Sequence, residues 1–309
     1  MRSSFRRALT GAARGWLCPF VLITLAVFAS TPELELASGA AGVPSGITAG
    51  PWTLRSSQTM DNDNADQGVA TVSEPNGTSK IVTRGGASVS PRLRRQGWVH
   101  IGDPDSYRGY LLDAYQGRAG ANAKLFVLTA PDGRQRYYVH PLARGESYNN
   151  SFAAIAPGGR WFVSGEWGTV RRLLLFRLPG FDAPAALSRD LQLSGAITLT
   201  RPMRDVQGCA FNAPTAMVCA TDDPGTDLYG VPRQLLAVRL ARPPRAGTVD
   251  ASVSLLGAVP QLSSCLGPSE TEGLDIHGSR LLVAAVSSCR NSTTLYSYYR
   301  GDRSSAGGS

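Results

Sequence analysis

Four short segments of the 309-residue chain open alike, each placing an oxygen-bearing side chain ahead of a small residue and an apolar alternation. They are Gln96-Gly97-Trp98, Asn150-Ser151-Phe152, Gln207-Gly208-Cys209 and Glu272-Gly273-Leu274, spaced 54, 57 and 65 residues apart. Gathered at one place, such amide and carboxylate oxygens coordinate Ca²⁺, which takes about six to eight oxygen ligands. They equally hydrogen-bond a polar ligand in a concave site, or simply satisfy one another and trapped water. As a metal set the group is weak, because Glu272 is its one carboxylate; Asp205, two residues before Gln207, substitutes if the register is off by a pleat. His100 stands near Asp103 and Asp105 in sequence and is the candidate general base, since a histidine titrates near neutrality. Alternation puts it on one face with Gln96 and Trp98, where a structural role competes. The acidic run 61–66 lacks the glycine and the terminal glutamate of a calcium loop and reads as a solvated turn. With three histidines and no Gly-x-Ser-x-Gly, His-Glu-x-x-His or P-loop pattern, serine-hydrolase and zincin chemistry are disfavoured.

The elements that must position these residues are short. No apolar period of 3.6 is sustained; runs at 124–129, 135–140, 161–164, 173–178, 234–240 and 295–299 are rich in β-branched, aromatic and aliphatic residues. Pro-Asp-Gly, Pro-Gly-Gly and Asp-Pro-Gly turns separate such runs. After each of the four openings comes a turn and a more apolar strand (110–114, 161–164, 216–220, 280–285), then a third strand (125–128, 173–178, 235–240, 295–299). The repeat is close to the roughly 40–50 residues of a four-stranded propeller blade with longer loops. Gln67-Gly68-Val69 is a fifth opening, but it lies 29 residues before Gln96, too short for a full blade unless strands near 50–60 or the C-terminus complete it. The chain therefore reads as all-β, a β-propeller of five blades, with six blades, a β-sandwich or two smaller β domains as alternatives. In a propeller the first strand of each blade lines the central channel, which would set Gln96, Asn150, Gln207 and Glu272 around one mouth.

These units resemble secreted bacterial β-propellers, broadly the gluconolactonase-like, strictosidine-synthase-like and quinoprotein-like groups. The segment Glu272-Gly273-Leu274-Asp275-Ile276 is similar to their Glu-Gly-apolar blade start. The resemblance implies a divalent metal on the axis, with Glu272, Asn150 and Asp205 as ligands and His100 as base, in a lactonase or esterase. Against it stands a non-catalytic binding module that uses Gln96, Asn150, Gln207 and Glu272 as ligand contacts. The incomplete catalytic set favours the module. A sugar- or quinone-binding propeller is a third possibility, whose usual aromatic floor and paired basic residues are not evident in the sequence.

Charge and cysteines set the compartment. Of 31 basic residues only Lys80 and Lys124 are lysine, an arginine bias typical of a high-GC bacterial source. Arg2, Arg6, Arg7 and Arg14 precede an apolar stretch at 16–29, and no acidic residue occurs before Glu33, the pattern of a secretory signal. Residues 1–41 are thus expected to be signal peptide and flexible lead-in, 42–300 the propeller and 301–309 a disordered tail; a single membrane anchor is the competing reading of the apolar stretch. Removing those four arginines takes the net charge from +8 to +4, too modest for nucleic acid. Cys209 and Cys219 flank the turn at Asn212-Ala-Pro-Thr215, and Cys265 and Cys289 are symmetric about His277 beside Gly278. This predicts the disulfides Cys209–Cys219 and Cys265–Cys289, while zinc lacks a C-x-x-C. The expected protein is exported, secreted or in the cell envelope, monomeric, and bound to an extracellular ligand that the sequence does not identify.

Overall fold

Among the described residues, alternating apolar residues cut by Gly, Pro and Asp turns give twenty strands and almost no helix. The computed structural model describes residues 46–147, 152–179, 190–262, 267, 269–289 and 292–301. The strands β1 (Thr48–Ala49) and β2 (Trp52–Met60) come first, followed by a single turn, α1 (Asn62–Ala65), which the Asp61 carboxylate caps at the Asp63 amide. A two-stranded first blade then forms from β3 (Gly68–Ser73) and β4 (Ser79–Arg84). After α2 (Pro91–Arg95), β5 (Trp98–Ile101) and β6 (Asp105–Tyr107) both pair with β7 (Tyr110–Gly117) and act as one interrupted strand. The strands β8 (Ala123–Thr129) and β9 (Gln135–Pro141) complete this second blade.

The third blade is β10 (Ala154–Ile155), β11 (Trp161–Ser164), β12 (Thr169–Arg177) and β13 (Leu193–Arg204). The fourth is β14 (Val206–Ala213), β15 (Ala216–Asp222), β16 (Arg233–Leu240) and β17 (Gly247–Ala258). The fifth is β18 (Glu270–His277), β19 (Arg280–Val286) and β20 (Thr293–Arg300), and its fourth strand is β2 from the other end of the chain. The inner strands touch in a closed cycle, β3 to β6 to β10 to β14 to β18 and back to β3. That cycle of meandering blades is a five-bladed β-propeller.

Apolar side chains fill the seams between blades. Phe126 and Leu128 meet Phe162 and Phe176 between the second and third blades, with Phe126 and Phe162 edge to face at 4.8 Å. Phe152, Leu175 and Val206 pack with Leu236 between the third and fourth, and Val218 and Leu235 with Leu274 and Tyr298 between the fourth and fifth. Each fully buried side chain of this size is worth about 1.5–3 kcal/mol. Two joins are unusual. The outer strands β13 and β17 pair in parallel, fusing two blades into one sheet, and Gly195 permits the approach because a Cβ there would strike the Gly247 backbone. The short first blade is pinned to the second by Arg84, which grips Asp113 with Nε at 2.6 Å and a second bond at 3.2 Å.

The repeat reading holds strand by strand, and two of its gaps now have causes. Each blade's outer strand was the element the repeat alignment omitted. The 29-residue spacing after Gln67 reflects a blade of two strands, because the strand at 52–60 closes the fifth blade instead. Cys209 and Cys219 are direct register partners and are disulfide-bonded. Cys289 is also in a disulfide, and Cys265, its expected partner, lies outside the described residues, as do residues 1–45 and 302–309. Among the described residues no helix is long and apolar enough to cross a membrane.

Candidate functional site

Neighbouring inner strands share no ladder of hydrogen bonds, so their amides near the axis need other acceptors. Asp103, at the break between β5 and β6 and 0% exposed, provides them. Its Oδ1 accepts from the Val69 amide at 2.9 Å and its Oδ2 from the Leu274 amide at 3.0 Å, while its carbonyl accepts from Ala153 N at 3.0 Å. One residue thus ties the second blade to the first, fifth and third. Three glycines make the space: a Cβ on Gly273 would stand 2.6 Å from Oδ1, one on Gly68 2.8 Å from it, and one on Gly208 would strike Oδ2. Burial pushes the Asp103 carboxyl well above the usual carboxylate range, against those two amides. The centre of the ring is filled by a carboxyl group.

The same device recurs around the ring. The Asp105 carboxylate accepts from Ile155 N at 2.6 Å, joining the second and third blades, and burial raises it to about 8. Asp275 accepts from the Thr71 hydroxyl at 2.6 Å, joining the fifth and first, and Ser106 donates to the Thr71 carbonyl at 2.6 Å, joining the second and first. Asp222 accepts from the Thr271 amide at 3.1 Å and hydroxyl at 2.9 Å, joining the fourth and fifth; burial raises it to about 7.

At the end of the axis where the inner strands begin, acidic groups collect. Glu272 is half-buried, and burial followed by the charges of Glu270, Asp222 and Asp66 raises it well above a normal glutamate. Burial raises Asp66 and Asp205 as well, with Glu270 and Asp223 adding to the latter. Arg233 beside Asp222 and Arg204 beside Asp205 are the opposing charges.

Gln207 and Glu272 each directly precede an axial glycine, as Gln67 precedes Gly68. Gln96 is not with them. It is the exposed C-cap of α2, because the interrupted strand carries extra residues and brings Asp103, seven positions later, to the axis. Asn150 lies outside the described residues. Asp205 sits in the turn between β13 and β14 at φ 43, its Oδ1 accepting from Gly168 N at 3.1 Å. His100 is half-buried in β5, opposite Gln116, and burial lowers its pKa. Among the described residues no three His, Cys, Asp or Glu side chains converge to hold a metal ion; Asn150, one of the ligands that the resemblance implied, lies outside them.

Sequence reasoning missed a second polar centre. Lys124, 0% exposed in β8, holds the Glu146 carboxylate at 2.7 Å and donates to the Gly165 carbonyl at 2.8 Å. Glu146 also meets His140 Nε2 at 2.8 Å, and His140 Nδ1 lies 2.8 Å from the Leu191 carbonyl. Burial opposes the Glu146 charge, but the His140 bond and the lysine overcome it and hold the carboxyl at about 2. One clue was present: Lys124 is one of two lysines in an arginine-rich chain and opens an apolar run.

No family model matches the chain, and no curated protein does. Among solved structures it is similar to the β-propeller domain of Cps50 (Swd1) from Myceliophteria thermophila, at 15% identity and a TM-score of 0.33. The match covers 72% of this chain and spans 61% of the length of that one. A likeness at that level adds nothing to the fold, which rests on the closed cycle of inner strands.

Proposed function

We propose that the protein is an exported binding module that holds a positively charged group of an extracellular partner at the acidic mouth of the propeller. The gathering of Glu270, Asp222 and Asp66 around Glu272, whose pKa is raised first by burial and then by those three charges, carries this reading. An arriving cation relieves that repulsion, and Gln207 and Glu272 are the contacts beside the axial glycines. The Cys209–Cys219 disulfide supports export, since such bonds persist in oxidising compartments.

Calorimetric titration of a pentalysine peptide, at about 20 and about 200 mM salt, tests it. One site is expected, weakened by salt and at least about fivefold weaker in Glu272→Gln, a loss of about 1 kcal/mol. Absence of binding, or binding that Glu272→Gln leaves unchanged, refutes the reading. Tight one-site Ca²⁺ binding lost in the same variant would replace it with a divalent-metal lactonase or esterase, and a lactone and ester panel would follow.

A further inference from the structure

The opposite face carries a cleft of about 690 Å³ between the fourth and fifth blades, bordered by Trp52, Asn212, Arg239, Leu256, Ser279 and Arg300. Its size lies within the roughly 300–1,000 Å³ of small-molecule sites. Three independent features converge there. The pairing of β14 with β15 shifts register between Phe211 and Ala213, so Asn212 is the extra residue of a bulge, a device that re-aims a side chain. The Asn212 Oδ1 and the Trp52 Nε1 are both buried without a hydrogen-bond partner, in a residue 0% exposed in the case of Trp52. Finally, two exposed guanidiniums, Arg239 and Arg300, border the cleft, and neither is paired with a carboxylate among the described residues, as is also true of Arg92, Arg108 and Arg201. The Arg300 guanidinium instead lies 4.5 Å over the Trp52 ring.

We propose that this cleft binds a small hydroxylated anion, of the sugar-acid or sugar-phosphate class. An indole N–H requires an acceptor and an amide oxygen requires a donor, and a single hydroxyl group serves both. Two guanidiniums without carboxylates supply the anion site. Arg300, exposed and stacked on Trp52, is the cover that the ligand lifts as its anionic group pairs with that guanidinium. The hydroxyl then reaches the indole and the amide beneath.

The test is calorimetric titration of D-glucuronate, D-glucose 6-phosphate, D-glucose and inorganic phosphate into the full chain, the Arg239→Gln/Arg300→Gln variant and Glu272→Gln. One of the two hydroxylated anions should bind at least about tenfold more tightly than glucose and phosphate. Which one does so separates the carboxylate source from the phosphate source. The double arginine variant, altered only at exposed side chains and checked by its melting temperature, should lose at least about tenfold. Glu272→Gln, on the other face, should bind as the unaltered protein does, so failure here and failure of the acidic mouth are separate results. Phosphate or glucose binding as well as the hydroxylated anions, no binding by any of the four at about 10 mM, or binding indifferent to both arginines would overturn the proposal.

Discussion

Replacing Asp103 by alanine removes the group on which the centre of the ring depends. Two buried amides, Val69 and Leu274, lose their acceptor, and an unsatisfied buried donor costs about 1–3 kcal/mol, so Asp103→Ala should cost about 2–6 kcal/mol. That is much of the roughly 5–15 kcal/mol available to a folded domain. Asp103→Asn keeps one acceptor oxygen and turns an NH₂ toward the other amide, so about half that loss is expected. Gly208→Ala attacks the same point from the fourth blade, because its Cβ meets Oδ2 and lies 2.8 Å from Leu274 N. Overpacking of this kind costs about 1–3 kcal/mol. In the Asp103→Ala background the clash with the carboxylate disappears and the approach to Leu274 N remains. The double variant should therefore be about 1 kcal/mol or more better than the sum of the singles, since residues in contact couple by about 0.5–3 kcal/mol. Urea unfolding followed by tryptophan fluorescence measures all four proteins, with Asp103→Asn as the milder probe should Asp103→Ala not accumulate. Additivity within about 0.5 kcal/mol, or a loss below about 1 kcal/mol for Asp103→Ala, would refute the axial role.

Stability should rise as pH falls from about 8 toward 5. Asp105 at about 8 and Asp222 at about 7 are raised above their unfolded values, as are Asp103 and Glu272. The folded state therefore binds more protons in that window and loses stability as pH climbs through it, by about 1.4 kcal/mol per pH unit for each such group. Glu146, held at about 2, acts in the opposite sense and loses its contribution as pH drops below about 4, so urea midpoints should peak near pH 4; a peak at pH 7–8 contradicts this. Lys124→Met should cost about 3–5 kcal/mol, because it strands the buried Glu146 carboxylate. Lys124→Met/Glu146→Leu should recover part of that loss in the same assay, and a double variant no better than the single would count against the buried pair. Replacing Cys209 and Cys219 by serine opens a link of 10 residues and should lower stability by about 3 kcal/mol, read from the urea midpoint; an unchanged midpoint would show that the hairpin alone sets the register.

The fold was legible wherever a strand followed a Gly-marked opening, because that pattern reports one local event, an inner strand packed against a crowded axis. Gly208 and Gly273, which follow Gln207 and Glu272, both crowd Asp103 at the axis for this reason. Gln96-Gly97 carries the same letters, but Gly97 has φ 95 and follows a helix, so its glycine serves a turn and not the axis. Asp103 was invisible as an axial group because its partners, the amides of Val69 and Leu274, lie 34 and 171 residues away. The β13–β17 join was hidden likewise, since a parallel pair between outer strands leaves no periodic mark. The closing strand β2 was hard to assign because its partner is at the far end of the chain.

The most direct test of the acidic mouth is to map the pentalysine peptide on the protein by amide chemical shifts. The account predicts changes at the amides where the inner strands begin, around Gln67, Gln207 and Glu272, fading as salt is raised. Changes centred instead on the opposite turns, at 213–216 and 277–280, would contradict it.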